Sequence, residues 1–283
     1  MIQLTADSTC DLGESIVSRE IGIMPLSVIL GDDPHRDGID VTPKDIFEYV
    51  ERSGKLPKTA APSIGDYEEF FASYVQKGNT VIHFNISAKA SSSNAYACEA
   101  AKRFPGKVFV VDSKALSTGQ GLLILKAADM RDEGKSAQEI VDTVNALRIL
   151  VNTSFVPDRL DYLFKGGRCS RLTMYGANIL KVHPLIEMED GQLVPGKKYR
   201  GSMTRCIEQY VTDLAEKYPN YDTRRCFITH SNADEEVVAA AKRKVAELFR
   251  FDEVLETVAG SVITGHCGRN TLGVLFIAKE GEN

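Results

Sequence analysis

No stretch of this 283-residue sequence approaches the run of roughly 20 apolar residues that a membrane-spanning helix requires. The opening segment, MIQLTADSTCDL, has neither the basic start nor the apolar centre of a secretory signal, so a cytoplasmic protein is expected. The six cysteines (Cys10, Cys98, Cys169, Cys206, Cys226, Cys267) lack the CxxC spacing of a zinc or thioredoxin-like site, and free thiols are expected. The five histidines are as scattered, and no metal site is expected. Glycine loops that expose main-chain N–H groups to phosphate, GxxxxGK[ST] or GxGxxG, do not occur, which leaves nucleotide binding weakly supported. The GxSxG elbow of a serine hydrolase is missing as well. Internal repeats and low-complexity tracts are absent.

What is present describes a soluble globular protein, with 43% hydrophobic and 26% charged residues. The length exceeds what one core usually takes, so two domains are expected, residues 1–155 and 156–283. In the first, IQLTA, GIMPLSVIL, NTVIHF and KVFVVD read as strands. Helical patterns at 14–20, 43–52, 66–76, 93–103 and 121–133 alternate with them, which implies a mostly parallel α/β sheet. Thr42-Pro43 reads as a helix start with Asp45 against the dipole, and Gly54 and Gly134 as helix stops. SAQEIVDTVNALRIL is a further periodic helix. The second half reads as a smaller α+β domain, with a hairpin turning at Asp190-Gly191 and RCFITH, DEVLETV and GVLFIA as strands.

Net charge is −5, unevenly distributed: residues 165–205 hold eight basic and three acidic residues, leaving −10 elsewhere. Such a segment is either solvated surface or a positive field for a phosphorylated ligand or an acidic protein surface. The acidic total, without interleaved aromatic and basic residues, argues against nucleic acid.

In a parallel sheet, ligands gather beyond the carboxyl ends of the strands. Four hydroxyl-rich stretches fall at such places: ADSTCDL, TAAPS at 59–63, ISAKASSSN at 86–94 and VVDSKALSTGQG at 110–121. Each could equally be a set of helix caps, since Ser, Thr and Asp are favoured there on structural grounds alone. Without phosphate loops or a hydrolase elbow, a carboxylate is the remaining anion. Neutral hydroxyls and a histidine can hold a carboxyl group without burying fixed charge, which suits an acid with a long apolar tail.

The ordered blocks DSTCDL, KTAAPS, ISAKASSSNAY, VVDSKALSTGQG, LDYLFKGGRCSR, ILKVHPLIEMEDGQL and GHCGRNTLGVLF resemble the DegV family of bacterial fatty-acid-binding proteins over essentially the whole chain. That resemblance implies a two-domain fold holding one long-chain fatty acid in a tunnel between the domains, no catalysis by the chain itself and no cofactor. It implies a partner, a separate ATP-dependent fatty acid kinase that phosphorylates the presented carboxyl group; transient contact with a membrane surface is compatible with it. By matching blocks, Thr59, Ser91, His266 and Arg200 are the expected fatty-acid contacts, and Lys165 and Arg168 of KGGR the expected kinase-docking residues. Ser92 or Ser93 is expected to cap the following helix. Lys89, Ser92 and Asn270 stand where the family pattern has glycine, and Ala88 where it has serine, changes expected to reshape the carboxylate pocket. The rival reading is an enzyme acting on a phosphorylated or carboxylated metabolite through Ser91, Asp112 and His266; a weaker one is a lipid sensor without a kinase.

Overall fold

The computed structural model describes residues 1–169 and 182–279. The chain runs β1 (Ile2–Asp7), a 3-10 turn (Ser8–Cys10), α1 (Ser15–Ser18), β2 (Gly22–Met24), β3 (Ser27–Leu30), β4 (Asp33–Arg36), α2 (Pro43–Ser53), β5 (Lys58–Ala60) and α3 (Ile64–Val75). It continues through β6 (Thr80–Asn85), α4 (Ser93–Ala101), β7 (Val108–Asp112), α5 (Thr118–Asp132), α6 (Ala137–Leu147), β8 (Val151–Asn152), β9 (Ser154–Val156) and α7 (Asp161–Lys165). The remainder is β10 (Val182–Glu189), β11 (Gln192–Arg200), α8 (Met203–Lys217), β12 (Tyr221–Ser231), α9 (Glu235–Leu248), β13 (Glu253–Val258), α10 (Ser261–Cys267) and β14 (Thr271–Ala278).

Three sheets result among the described residues. A parallel sheet has the order β2-β1-β6-β7. A mixed seven-stranded sheet has the order β11-β10-β9-β14-β12-β13, with β8 also on β14. A small antiparallel sheet, β4-β3-β5, stands apart. The fold is therefore α/β, with a parallel-sheet part and a mixed-sheet part. The apolar run GIMPLSVIL is two strands rather than one: it breaks at Pro25, where the missing N–H cannot continue a ladder. β2 stays in the parallel sheet, and β3 leaves to found the small one. The helix expected over 14–20 is a single turn. The Thr42 capping box, the left-handed Gly54 and the Asp190-Gly191 turn, both residues at positive φ, are as the sequence suggests.

The large sheet begins at Val151, and residue 155 lies inside β9, which pairs with β10 and β14. α5 packs on β1 and β6 from one side and on β12 and β14 from the other. Nearly every residue from Thr118 to Met130 is buried, so its sequence has no polar stripe. One apolar cluster follows, joining Leu4, Phe84 and Val111 through Leu123 and Ile124 to Phe227 and Leu275.

Burial of α5 also encloses Asp129, whose side chain is 5% exposed. Arg225 binds it at 2.6 Å, Arg19 at 2.9 Å and Arg224 at 3.1 Å, joining the segment after α1 to β12. Removing the anion takes away the partner that the three arginines share and leaves Arg19 and Arg225 only the more exposed Asp132 and Glu253. Asp129→Asn is expected to cost about 3 kcal/mol, measured as a lower midpoint in urea unfolding; an unchanged midpoint would show that the cluster contributes nothing net.

Candidate functional site

The segments that follow β2, β6 and β7 converge, as strand topology requires, on a cavity of about 540 Å³. Leu26, Ile86, Leu116, Leu163, Val262 and Ile263 supply apolar wall, and Thr59, Lys89, Ser91, Ser92, Arg168 and His266 supply polar groups. A smaller cavity of about 30 Å³ shares Leu116, Ile263 and Cys267 with it and is also bordered by Phe155 and Leu275. Four of the six residues expected from sequence thus meet at one cavity: Thr59, Ser91, His266 and Arg168. Arg200 does not; it is the last residue of β11, exposed and outside the lining, because the strand carries it past the hairpin's contact with the cavity at Leu193. Lys165 ends α7 and faces solvent. Arg171 and Lys181 of the basic segment lie outside the described residues.

Thr59 sits on β5 rather than in a loop, paired with Val28. Its Oγ1 is 3.0 Å from His266 Nε2. His266 occupies the last turn of α10, and its Nδ1 is buried without a hydrogen-bond partner among the described residues. Burial, reinforced by the charge of Arg168, pulls the imidazole pKa down to about 4, so the ring is neutral at pH 7. In its Nε2–H tautomer the ring donates to Thr59 Oγ1 and leaves the threonine hydroxyl proton free for an anion.

The four serines of the ISAKASSSN loop have four different roles. Ser87 donates to Gly191 O at 2.6 Å and ties the loop to the hairpin tip. Ser91 Oγ accepts from Ser93 N at 3.2 Å and lies 2.8 Å from Ser93 Oγ, so it opens α4 as well as lining the cavity. Ser92, one expected cap, makes no side-chain capping bond, and Ser93, the other, is fully buried inside the first turn. The loop is held from below by Asp7, a buried carboxylate accepting from Ile86 N (2.8 Å), Thr9 Oγ1 (2.6 Å) and Gln120 Nε2 (3.2 Å). Asp112, proposed in the rival enzyme reading, accepts from Ala88 N and Lys114 N and is not part of the lining.

Sequence reasoning missed several participants. Gly166, read only as part of a docking motif, gives the imidazole its room: a Cβ there would lie 2.7 Å from His266 Nδ1. Asp11 and Asp37 are buried and hold the start of α10. The DSTCDL block had flagged the first, but nothing local marks Asp37, in the turn after β4. Lys89, expected from the sequence to reshape the pocket, lines the cavity; its bridge to Asp190 at 2.7 Å, with Lys114 on the same carboxylate, is what the sequence did not show.

The family model described as "Uncharacterised protein, DegV family" matches residues 1–279. A DegV domain-containing protein of Caldanaerobacter subterraneus is 30% identical over 98% of this chain and 99% of its own length. The structure titled as the fatty acid binding of a DegV family protein from Thermus thermophilus superposes with a TM-score of 0.89 at 28% identity, over 98% of this chain and 99% of that one. A stearic-acid-binding protein from Eubacterium ventriosum gives 0.85 at 28% identity, over 99% of each chain.

Two outcomes follow from the imidazole and its neighbour. Because the folded pKa of His266 is depressed, its contribution to stability is present above the ordinary value of 6.5 and is lost as pH falls toward about 4. Histidine-ring NMR should show a midpoint near 4 for this residue, and His266→Gln should remove the corresponding part of the pH dependence of unfolding; a midpoint near 6.5 would contradict the burial argument. Gly166→Ala forces the ring aside and is expected to destabilise the protein by about 1–3 kcal/mol, read in thermal unfolding.

Proposed function

This chain belongs to the DegV family, and from that premise we propose that it is a carrier that holds one long-chain fatty acid in the cavity walled by Ile86, Leu116, Leu163 and Ile263. The observation that carries the reading is the neutral Thr59–His266 pair, with Ser91 on the same lining, facing a cavity whose wall is otherwise apolar at Leu26, Ile86, Leu116, Leu163, Val262 and Ile263 and which has its charged side chains, Lys89 and Arg168, on residues that reach solvent. Such a set suits a carboxyl group on a hydrocarbon tail better than a phosphate, since it presents hydroxyls rather than a glycine-built nest of N–H groups. The fatty acid ligands of the T. thermophilus and E. ventriosum proteins support it. Each buried methylene contributes about 0.8 kcal/mol, so the tail supplies most of the affinity and the polar groups orient the acid.

In the same proposal the chain is not itself a catalyst. It works in the cytoplasm and presents the carboxyl group to a separate ATP-dependent kinase, with Lys165 and Arg168 on the docking face. Arg168, which also lines the cavity, stands where the two tasks meet. Arg200 lies outside the lining, and the head-group assignment rests on Thr59, Ser91 and His266. The enzyme reading has less support, because Asp112 is outside the cavity lining and is engaged by the main-chain N–H groups of Ala88 and Lys114.

Organic extraction of purified protein followed by mass spectrometry is expected to yield a stoichiometric long-chain fatty acid. Thr59→Ala should weaken oleate binding about tenfold, the loss of one hydrogen bond to a charged group, and leave methyl oleate unaffected. Ser91→Ala should lower acyl-phosphate formation when a fatty acid kinase is supplied. Recovery of a nucleotide and no lipid would refute the proposal.

A further inference from the structure

α10, which carries His266, has seven residues, too few to fix its own position. Its first N–H groups are not capped in the ordinary way, because the residue before it is Gly260, which has no side chain. Two carboxylates from remote parts of the chain instead hold the N–H of the cap residue and that of the first helical residue. Asp11 Oδ1 accepts from Gly260 N at 2.8 Å, and Asp37 Oδ1 accepts from Ser261 N at 2.9 Å. Glycine is what admits both: a Cβ on residue 260 would lie 3.1 Å from Asp11 Oδ1 and 3.5 Å from Asp37 Oδ1. The second oxygen of each carboxylate is aimed in turn, Asp11 Oδ2 by Ser117 Oγ at 2.5 Å and Asp37 Oδ2 by Ser8 Oγ at 2.8 Å. Ser117 reaches its partner from a strained backbone, φ 51° and ψ −140°, in a region that side-chain-bearing residues rarely occupy.

Two buried carboxylates and a strained serine are an expensive way to secure the start of one short helix, when a serine or asparagine at residue 260 would cap the next N–H groups locally. What the remote arrangement adds is registration. The helix is joined at its start to the segment after β1, to the turn after β4 and to the approach to α5. Ser261 Oγ donates to Val41 O at 3.1 Å as a further tie. Seven residues at 1.5 Å each make a lever of about 10 Å, and its far end is His266. Along the way Gly265 lies against Pro57, two residues before Thr59: a Cβ on it would be 2.9 Å from Pro57 Cγ.

We propose that Asp11 and Asp37 are positioning residues for the acyl head group: by gripping the first N–H groups of α10 they set the place at which its last turn presents the His266 ring to Thr59. This rests on the reading that Thr59 and His266 take the carboxyl group. The rest of α10 is secured independently. Thr264 accepts from Ser231 Oγ at 3.1 Å, and Val262 packs in a cluster with Leu26, Val28 and Ile46, so loss of one carboxylate shifts the ring without freeing the helix.

The test compares oleate with methyl oleate, binding to delipidated full-length protein by displacement of a fluorescent polyene fatty acid. Wild type is expected to prefer the free acid. Asp37→Ala should reduce that preference about tenfold, with methyl oleate affinity held within about twofold. Asp37→Asn, whose amide oxygen still accepts from Ser261 N, should restore most of the preference and return the displaced His266 ring signals in NMR toward wild type. Undiminished preference in Asp37→Ala, or equal loss of both ligands in the Ala and Asn variants, would overturn the inference. Should Asp37→Ala not fold, Ser8→Ala, which removes the hydroxyl aiming that carboxylate, is expected to lower the preference about threefold, and no change would count against it. A wild-type protein with no preference for the acid would instead sink the head-group assignment, and this inference with it.

Discussion

Everything at the seam between the sheets follows from one constraint: polar groups there are out of water and must find partners in the chain. Three aspartates resolve it in the same manner. Asp7 at the end of β1 takes Ile86 N from the loop after β6, Asp11 takes Gly260 N, and Asp37 takes Ser261 N. Each carboxylate is therefore a peg between segments far apart in sequence, and the cavity is the space left between the segments so pegged. Hydrophobic packing of α5 brings the sheets together, but it is non-directional and could not by itself set a hydroxyl 3 Å from an imidazole.

The arrangement has an electrostatic cost. Burial raises the pKa of Asp11 to about 8 and that of Asp37 in the same direction, offset in part by their serine and main-chain donors. For Asp11, a raised folded value means that the associated stability is present below its ordinary value of 3.8 and is lost as pH climbs through about 8. The ring at the other end of α10 shifts the opposite way, since burial favours the neutral form of a base. Carboxyl groups held toward neutrality and an imidazole held neutral give a site with little fixed charge in its depth. Arg168 and the Lys89–Asp190–Lys114 bridge place the charge on side chains that reach solvent.

Much of this was legible in the sequence where the determinant is local. Capping boxes, turn glycines and the alternation of strand and helix report on neighbours a few residues away, so α2, α6 and the β10–β11 hairpin could be read directly. Thr59, Ser91 and His266 are expected only through the resemblance of their blocks, taken in order, to the family's, and the three do line one cavity. The small sheet could not: DPHR and KTA are too short and too polar to signal a strand, and they form one only because β3, diverted at Pro25, offers them a ladder. Asp37 is silent for the same reason, as its partner is 224 residues away. Arg200 shows the converse limit, since a matching position in a motif carries no information about which way an exposed strand end points.

The residues that stand where the family pattern has glycine bear on how well the pocket is conserved as a shape. A lost glycine matters most where φ is positive, because a Cβ is strained there. Lys89 and Ser92 are not at positive φ, so the loop that carries Ser91 never depended on glycine's conformational freedom in this chain. Asn270 is, at φ 62°, but asparagine tolerates the left-handed region, and its side chain is used: Oδ1 accepts from Asp234 N at 3.1 Å and anchors the start of α9. Lys89 goes further and turns the substitution into a contact, binding Asp190 at the hairpin tip where Ser87 already holds Gly191 O. The hairpin that brings Leu193 to the cavity is thus fastened by the same loop that brings Ser91, so a change on one side of the cavity is transmitted to the other through bonds rather than through the ligand.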